Sequence, residues 1–151
     1  MSKTFSEDFD RAFTILCNLE GYISDIKEDR GGKTIWGIAE RYYPEEVKKM
    51  SAMTPEQSKE YAKNFYFTNF WNFYRCSSLP RPYSIIFFCI LVNSPKAALK
   101  AKNETDNWRD FLFKIQLYYS SLVDKDRSQS VFFRGWINRT HNLWNKFYKE
   151  A

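Results

Sequence analysis

Apolar residues recur along most of the chain at the three- and four-residue spacing of amphipathic helices. Phe9, Ala12, Phe13, Leu16 and Leu19 follow Ser6, whose hydroxyl can cap a first helix. Glu7 and Asp8 stand in its opening turn, where the helix dipole favours them, and the pattern ends near residues 20–21. Thr54-Pro55-Glu56-Gln57 is a capping box with proline at the first helical position. It predicts a helix to about residue 70, with Tyr61, Ala62, Phe65 and Asn69 along one side. Leu79-Pro80-Arg81-Pro82 is a breaker, after which an apolar run predicts a buried helix over 83–92. Asn93-Ser94-Pro95 restarts another helix through Ala97 and Leu99. A long helix begins near 105–107 with the stripe Trp108, Phe111, Leu112, Ile115, Tyr119 and Leu122. A last one covers about 131–149, with Phe132, Trp136, Ile137, Leu143, Trp144 and Phe147 as its apolar positions.

Residues 21–37 break this rhythm. Gly21, Gly31, Gly32 and Gly37 are four of the five glycines of the chain, interleaved with Tyr22, Ile23, Thr34, Ile35 and Trp36. Glycines among β-branched and aromatic residues predict a short, irregular β-hairpin with a glycine turn. The fold class is therefore mainly α with a small β-hairpin. No internal repeat or dividing linker is visible, so 151 residues predict a single domain over 1–151.

Composition narrows the function. Phe, Tyr and Trp number 14, 10 and 5, which is too apolar for a disordered chain and leaves aromatics over for a surface that stacks on something flat. The net charge of +5 is uneven: residues 1–50 carry −2 and residues 51–151 carry +7. A basic second half suits an anionic partner such as nucleic acid, anionic lipid or cell-wall polymer. The basic residues do not run in blocks and no nucleic-acid-binding signature is present, so nucleic acid is not the expected partner. Three cysteines (Cys17, Cys76, Cys89) without paired spacing predict buried free thiols, and with His141 as the one histidine no metal site is expected. The charged N-terminal stretch lacks the apolar core of a secretory signal, and the longest apolar run, 85–92, is too short to span a bilayer. A soluble chain made in the cytosol, without stable membrane insertion, is expected.

The chemistry concentrates around the hairpin. Glu20 closes an apolar helix, at the negative end of its dipole, and Asp29 follows nine positions later in the glycine turn, with the Thr34 hydroxyl five residues beyond. A carboxyl group that donates a proton, with a second carboxylate or hydroxyl across from it to place water or stabilise positive charge, is what glycosidic hydrolysis needs.

Glu20-Gly21-Tyr22, then Asp29-Arg30-Gly31-Gly32-Lys33-Thr34-Ile35-Trp36-Gly37-Ile38, resembles the signature of glycoside hydrolase family 108, N-acetylmuramidases of the lysozyme superfamily. That signature reads Glu-Gly-Gly-Tyr and Asp-Pro-Gly-Gly-x-Thr-x-x-Gly-Ile. The spacing is also similar to the Glu, Asp and Thr of phage-type lysozymes. The likeness continues in order. Tyr66 to Trp71 stands where the family has a Tyr-Trp pair, and Val92-Asn93-Ser94-Pro95 resembles its Val-Asn-x-Gly-Pro helix start. Gln116 and Tyr119, with the run Phe133 to Arg139, are similar to a C-terminal peptidoglycan-binding segment. The chain departs from the pattern in lacking the second glycine after Glu20, in Arg30 for the turn proline, and in Cys89 near where an acidic residue is common. The region between Ala98 and Trp108 is also short.

The resemblance implies a lysozyme-like helical domain with the hairpin beside the active site. About 9–100 would be catalytic, and about 105–149 would be a helical peptidoglycan-binding part. Glu20 would be the general acid, Asp29 would stabilise oxocarbenium-like charge or help hold water, and Thr34 would orient that water. Tyr22, Trp36, Asn93 and Arg139 are the candidate substrate contacts: aromatic faces for sugar rings, an amide, and a cation for glycan or peptide carboxylates. Each has a plainer reading as well. Asp29 can brace the glycine turn, Thr34 can be an ordinary strand residue, and Tyr22 and Trp36 can be core. Asn93 can cap a helix or close a hydrogen-bond network. The implied partner is bacterial peptidoglycan, met by a monomer that needs no cofactor, released from the cytosol to the wall or periplasm as a phage or prophage endolysin would be. A non-catalytic wall-binding protein on the same fold is the alternative.

Overall fold

The computed structural model describes residues 5–25 and 32–149. The chain divides into two compact units at Ser77 and Ser78. It is mainly helical with one small antiparallel sheet, the class expected of a lysozyme-like chain.

The first unit opens with α1 (Glu7–Glu20), capped by the Ser6 hydroxyl, which accepts from the Phe9 N–H at 3.2 Å. Of the predicted stripe, Phe9, Ala12, Phe13 and Leu16 are buried and Leu19 is half-buried, and Ile15 and Cys17 are buried with them. Strands β1 (Ile23–Asp25), β2 (Lys33–Ile35) and β3 (Ile38–Ala39) then form a sheet in sequence order. Ile23 pairs with Ile35 and Ser24 with Thr34 across β1 and β2, while Ile35 pairs with Ile38 across β2 and β3. The predicted single hairpin is thus two hairpins, because the chain doubles back once more at Trp36 and Gly37.

Two helices cover this sheet's unit. The first, α2 (Pro44–Ser51), is not foreseen by the hydrophobic pattern, since only Val47 and Met50 of its eight residues are buried. The second, α3 (Pro55–Tyr66), begins with the predicted capping box: Thr54 Oγ1 accepts from the Gln57 N–H at 3.2 Å, and Gln57 Oε1 accepts from the Thr54 N–H at 3.1 Å. Its buried face is Ser58, Ala62 and Tyr66, whereas Tyr61 and Phe65 are half-buried and Asn69 is exposed. The predicted helix end is a π-helical turn over Phe67–Asn72. That turn carries Phe67 and Trp71 onto Phe9, at ring separations of 5.2 and 5.5 Å.

In the second unit α4 (Tyr83–Asn93) is buried from Tyr83 through Leu91. A helix apolar on all sides must be surrounded, and α5 (Pro95–Glu104) and α6 (Trp108–Lys125) pack on it. Tyr83 and Phe87 meet Phe111 at 5.3 and 6.1 Å. Asn107 caps α6, its Oδ1 accepting from the N–H groups of Arg109 and Asp110. Helix α7 (Ser130–Phe147) lies along α6: Tyr119 stacks on Trp136 at 5.0 Å, and Gln116 donates to the Thr140 hydroxyl at 2.9 Å. Of the apolar positions predicted for α7, Leu143 and Phe147 are buried, while Phe132, Trp136 and Ile137 are half-buried and Trp144 is exposed. All three cysteines are buried and free, as their spacing predicts. Among the described residues no helix is long and apolar enough to cross a membrane.

The Thr54 cap gives the first test. Thr54→Ala removes the acceptor for Gln57 and should cost about 1 kcal/mol, with Thr54→Ser near wild type. Urea unfolding followed by circular dichroism measures it; an unchanged midpoint in Thr54→Ala would contradict the capping role.

Candidate active site

Glu20 is the last residue of α1 and is half-buried. Gly21 stops the helix there, with φ 74° and ψ 179°, a backbone region that glycine alone enters readily. The Gly21 N–H still donates to the Cys17 carbonyl at 2.8 Å, so the helix is closed to its end and Glu20 is held in its final turn.

The chain returns to Glu20 through the turn that joins β2 to β3. Only Trp36 and Gly37 separate the paired residues Ile35 and Ile38, and both have positive φ, 51° and 83°. Two such residues in succession mark a type I′ hairpin, whose twist matches that of the flanking strands. A non-glycine residue in this conformation costs on the order of 1 kcal/mol and persists only where its surroundings over-determine it. Trp36 is over-determined. Its N–H donates to the Tyr22 carbonyl at 2.6 Å, and its own carbonyl accepts from the Tyr66 hydroxyl at 2.8 Å. Its indole Nε1–H donates to the Ser58 hydroxyl at 2.9 Å, and Ser58 in turn donates to the Pro55 carbonyl. The ring lies 5.1 Å from that of Tyr22, and the Lys59 ammonium stands 5.3 Å from its centre.

Gly37 then comes against Glu20 itself. A Cβ on Gly37 would fall 2.8 Å from Glu20 Cγ and 2.9 Å from the Tyr66 hydroxyl oxygen. The structure therefore brings Glu20, Tyr22 and Trp36 into one cluster. Thr34 sits on the middle strand, half-buried, paired with Ser24 on one side and Ala39 on the other. Its side chain leaves the sheet on the face opposite to that of buried Ile35. Asp29, with Arg30 and Gly31, lies outside the described residues.

Asn93 and Arg139 belong to the second unit. Asn93 ends α4, and its amide donates to the Tyr119 hydroxyl at 3.0 Å and to Ser94 at 3.4 Å, a network of the kind its plainer reading expects. Arg139 is half-buried on α7. Four residues that shape the Glu20 cluster escape a sequence search for site chemistry: Gly37, Ser58, Lys59 and Tyr66. Gly37 and Tyr66 fall inside the motif blocks without a role attached. Ser58 shows only through the spacing it shares with Ala62 and Tyr66 on the buried face of α3.

The charges around α1 are legible at Cys17, three residues before Glu20. Burial pushes the Cys17 thiol from an ordinary value of 9.0 up to about 11; Lys59 and Lys63 pull it down, and Glu20 adds to the rise. Lys63 is also paired with Asp10 at 2.7 Å. Since the thiolate is the reactive form, native Cys17 should react with iodoacetamide at pH 8 roughly a hundredfold more slowly than an ordinary cysteine. Peptide mapping after timed alkylation measures this. The unfolded chain loses its proton near 9.0 while the native one keeps it to about 11, so this group contributes stability below 9.0 that declines as pH rises through that window. Alkylation of native Cys17 at the rate of a free thiol would contradict the buried site.

The family model for glycosyl hydrolase 108 matches residues 13–94, from α1 through the end of α4. No curated protein and no solved structure matches the chain.

Proposed function

The chain belongs to the glycosyl hydrolase 108 family, lysozyme-like peptidoglycan hydrolases, and we propose that it cleaves the β-1,4 bond between N-acetylmuramic acid and N-acetylglucosamine. The observation that carries this reading is the packing of Glu20, a half-buried carboxyl at the end of an apolar helix, against a rigid aromatic turn. Glu20 is the general acid: it gives its proton to the glycosidic oxygen as the bond to the muramic anomeric carbon breaks. The positive charge that develops on the sugar needs a carboxylate partner, and Asp29 is the residue for it, either facing that charge or holding the attacking water. Thr34 orients the water. A separation of about 6.5–9.5 Å between the two carboxyl groups would make the enzyme inverting, and about 5 Å retaining.

Substrate contacts follow from residue chemistry. Tyr22 and Trp36 offer fixed aromatic faces beside Glu20, and sugar rings present apolar faces to such surfaces. In the second unit, Asn93 and Arg139 are the remaining contacts, Arg139 toward lactyl or stem-peptide carboxylates. Residues from about 105 to 149 bind the wall. The excess of positive charge in residues 51–151 favours encounter with that anionic polymer. No metal or organic cofactor enters a reaction that two carboxyl groups can perform. The biological setting is host lysis by a phage or prophage endolysin, acting as a monomer at the wall after release.

Digestion of purified peptidoglycan by wild type and Glu20→Gln, with reducing ends identified by mass spectrometry, tests the proposal. Wild type should release muramic-acid termini, and Glu20→Gln should fall by at least about a hundredfold while still sedimenting with the wall. Equal release by both proteins would remove Glu20 from the chemistry. No release by either, with wall binding intact, would make the chain a binding protein.

A further inference from the structure

We infer that Tyr66 is a positioning residue for the general acid, acting through the turn at Trp36 and Gly37, which serves as a backbone stop for the Glu20 side chain. The inference rests on the reading of Glu20 given above. Tyr66 is 1% exposed, and a buried phenol is held where its hydroxyl finds a partner. That partner is the carbonyl of Trp36, a residue in a conformation that its neighbours must enforce. The same hydroxyl oxygen and Glu20 Cγ both lie within 3 Å of the point where a Gly37 Cβ would stand. This bond from α3 thus helps hold a turn whose next residue comes close to the stem of Glu20.

The arrangement is stiff on the turn's side. The amide, carbonyl and indole of Trp36 are bonded to three separate partners, on Tyr22, Tyr66 and Ser58. A methyl group at position 37 would meet Glu20 Cγ at 2.8 Å and the Tyr66 hydroxyl oxygen at 2.9 Å, both closer than such atoms approach, so the Glu20 stem and the Tyr66 bond to the turn are displaced together. Glu20 would turn away from its place. Removing the Tyr66 hydroxyl has the milder effect of releasing the Trp36 carbonyl and letting the stop drift. A displacement of about 1 Å in a reacting group can cost on the order of a hundredfold in rate.

A general acid matters in proportion to how badly the leaving group needs a proton, which separates positioning from general damage. Tyr66→Phe and Gly37→Ala are compared with wild type and Glu20→Gln on two substrates. One is peptidoglycan, whose leaving group is a sugar hydroxyl. The other is an N-acetylglucosaminyl-N-acetylmuramic acid disaccharide carrying a dinitrophenyl leaving group, which departs without protonation. Thermal unfolding by circular dichroism accompanies each variant, and Gly37→Ala carries the test if Tyr66→Phe does not fold.

On peptidoglycan we expect kcat to fall about tenfold in Tyr66→Phe and about a hundredfold in Gly37→Ala, with KM within about twofold of wild type. On the dinitrophenyl substrate both should stay within about threefold of wild type. Equal losses on the two substrates would mean that the residues only support the fold, and would overturn the inference. Wild-type rates on both, beside a Glu20→Gln that fails on peptidoglycan alone, would leave the general acid in place and remove the positioning role. A fully active Glu20→Gln would remove both.

Discussion

The close approach of a backbone to a carboxylate side chain is the constraint on which the rest of the first unit depends. At Gly37 there is no room for a Cβ, because Glu20 Cγ and the Tyr66 hydroxyl already occupy its surroundings, and the positive φ disfavours any other residue independently. Two separate demands, space and dihedral angle, converge on one glycine. A carboxyl at the end of a helix is ordinarily free to sweep through solvent. Here its stem lies within 3.3 Å of where a Gly37 Cβ would stand, beside a turn held by three hydrogen bonds.

That rigidity has to be brought in from elsewhere, since strands of two and three residues are marginal by themselves. Ile35 and Ile38, the two residues that flank the turn, are almost fully buried, as are Val47 and Met50 of α2. From the other direction α3 sends Ser58 to the Trp36 indole and Tyr66 to the Trp36 carbonyl, two bonds from one helix face eight residues apart. The capping box at Thr54 fixes where that face begins. Its register decides whether Ser58 and Tyr66 point toward the turn, so a device worth about 1 kcal/mol at a helix start has a consequence at the site.

The helices were readable because their ends carry chemistry: Ser6, Thr54 and Asn107 each accept from the backbone of the turn that follows. The carboxyl at the end of α1 was readable for the same reason, with Gly21 directly after it. What the sequence hid has physical causes. Helix α2 buries two of eight residues, too few to register as a period. The second hairpin turns on Trp-Gly, whereas the readable signal for such a turn is Asn-Gly or Asp-Gly, whose side chains tolerate positive φ. Trp36 adopts that conformation because hydrogen bonds to Tyr22, Ser58 and Tyr66 hold it there, and none of these partners is close to it in sequence. In α7 the apolar positions are legible but their burial is not: Leu143 and Phe147 are buried, Phe132, Trp136 and Ile137 half-buried and Trp144 exposed. Asp29 and Thr34 stand out in the motif, and of the two the fold locates Thr34, at the centre of the sheet.

The central claim is that Glu20 meets the bond that breaks. A crystal structure of Glu20→Gln with a peptidoglycan tetrasaccharide tests it most directly. The scissile glycosidic oxygen should lie within about 2.6–3.2 Å of the glutamine side chain, with a sugar ring against Trp36 or Tyr22. A tetrasaccharide bound in order elsewhere on the chain, with residue 20 facing no glycosidic oxygen, would contradict the account.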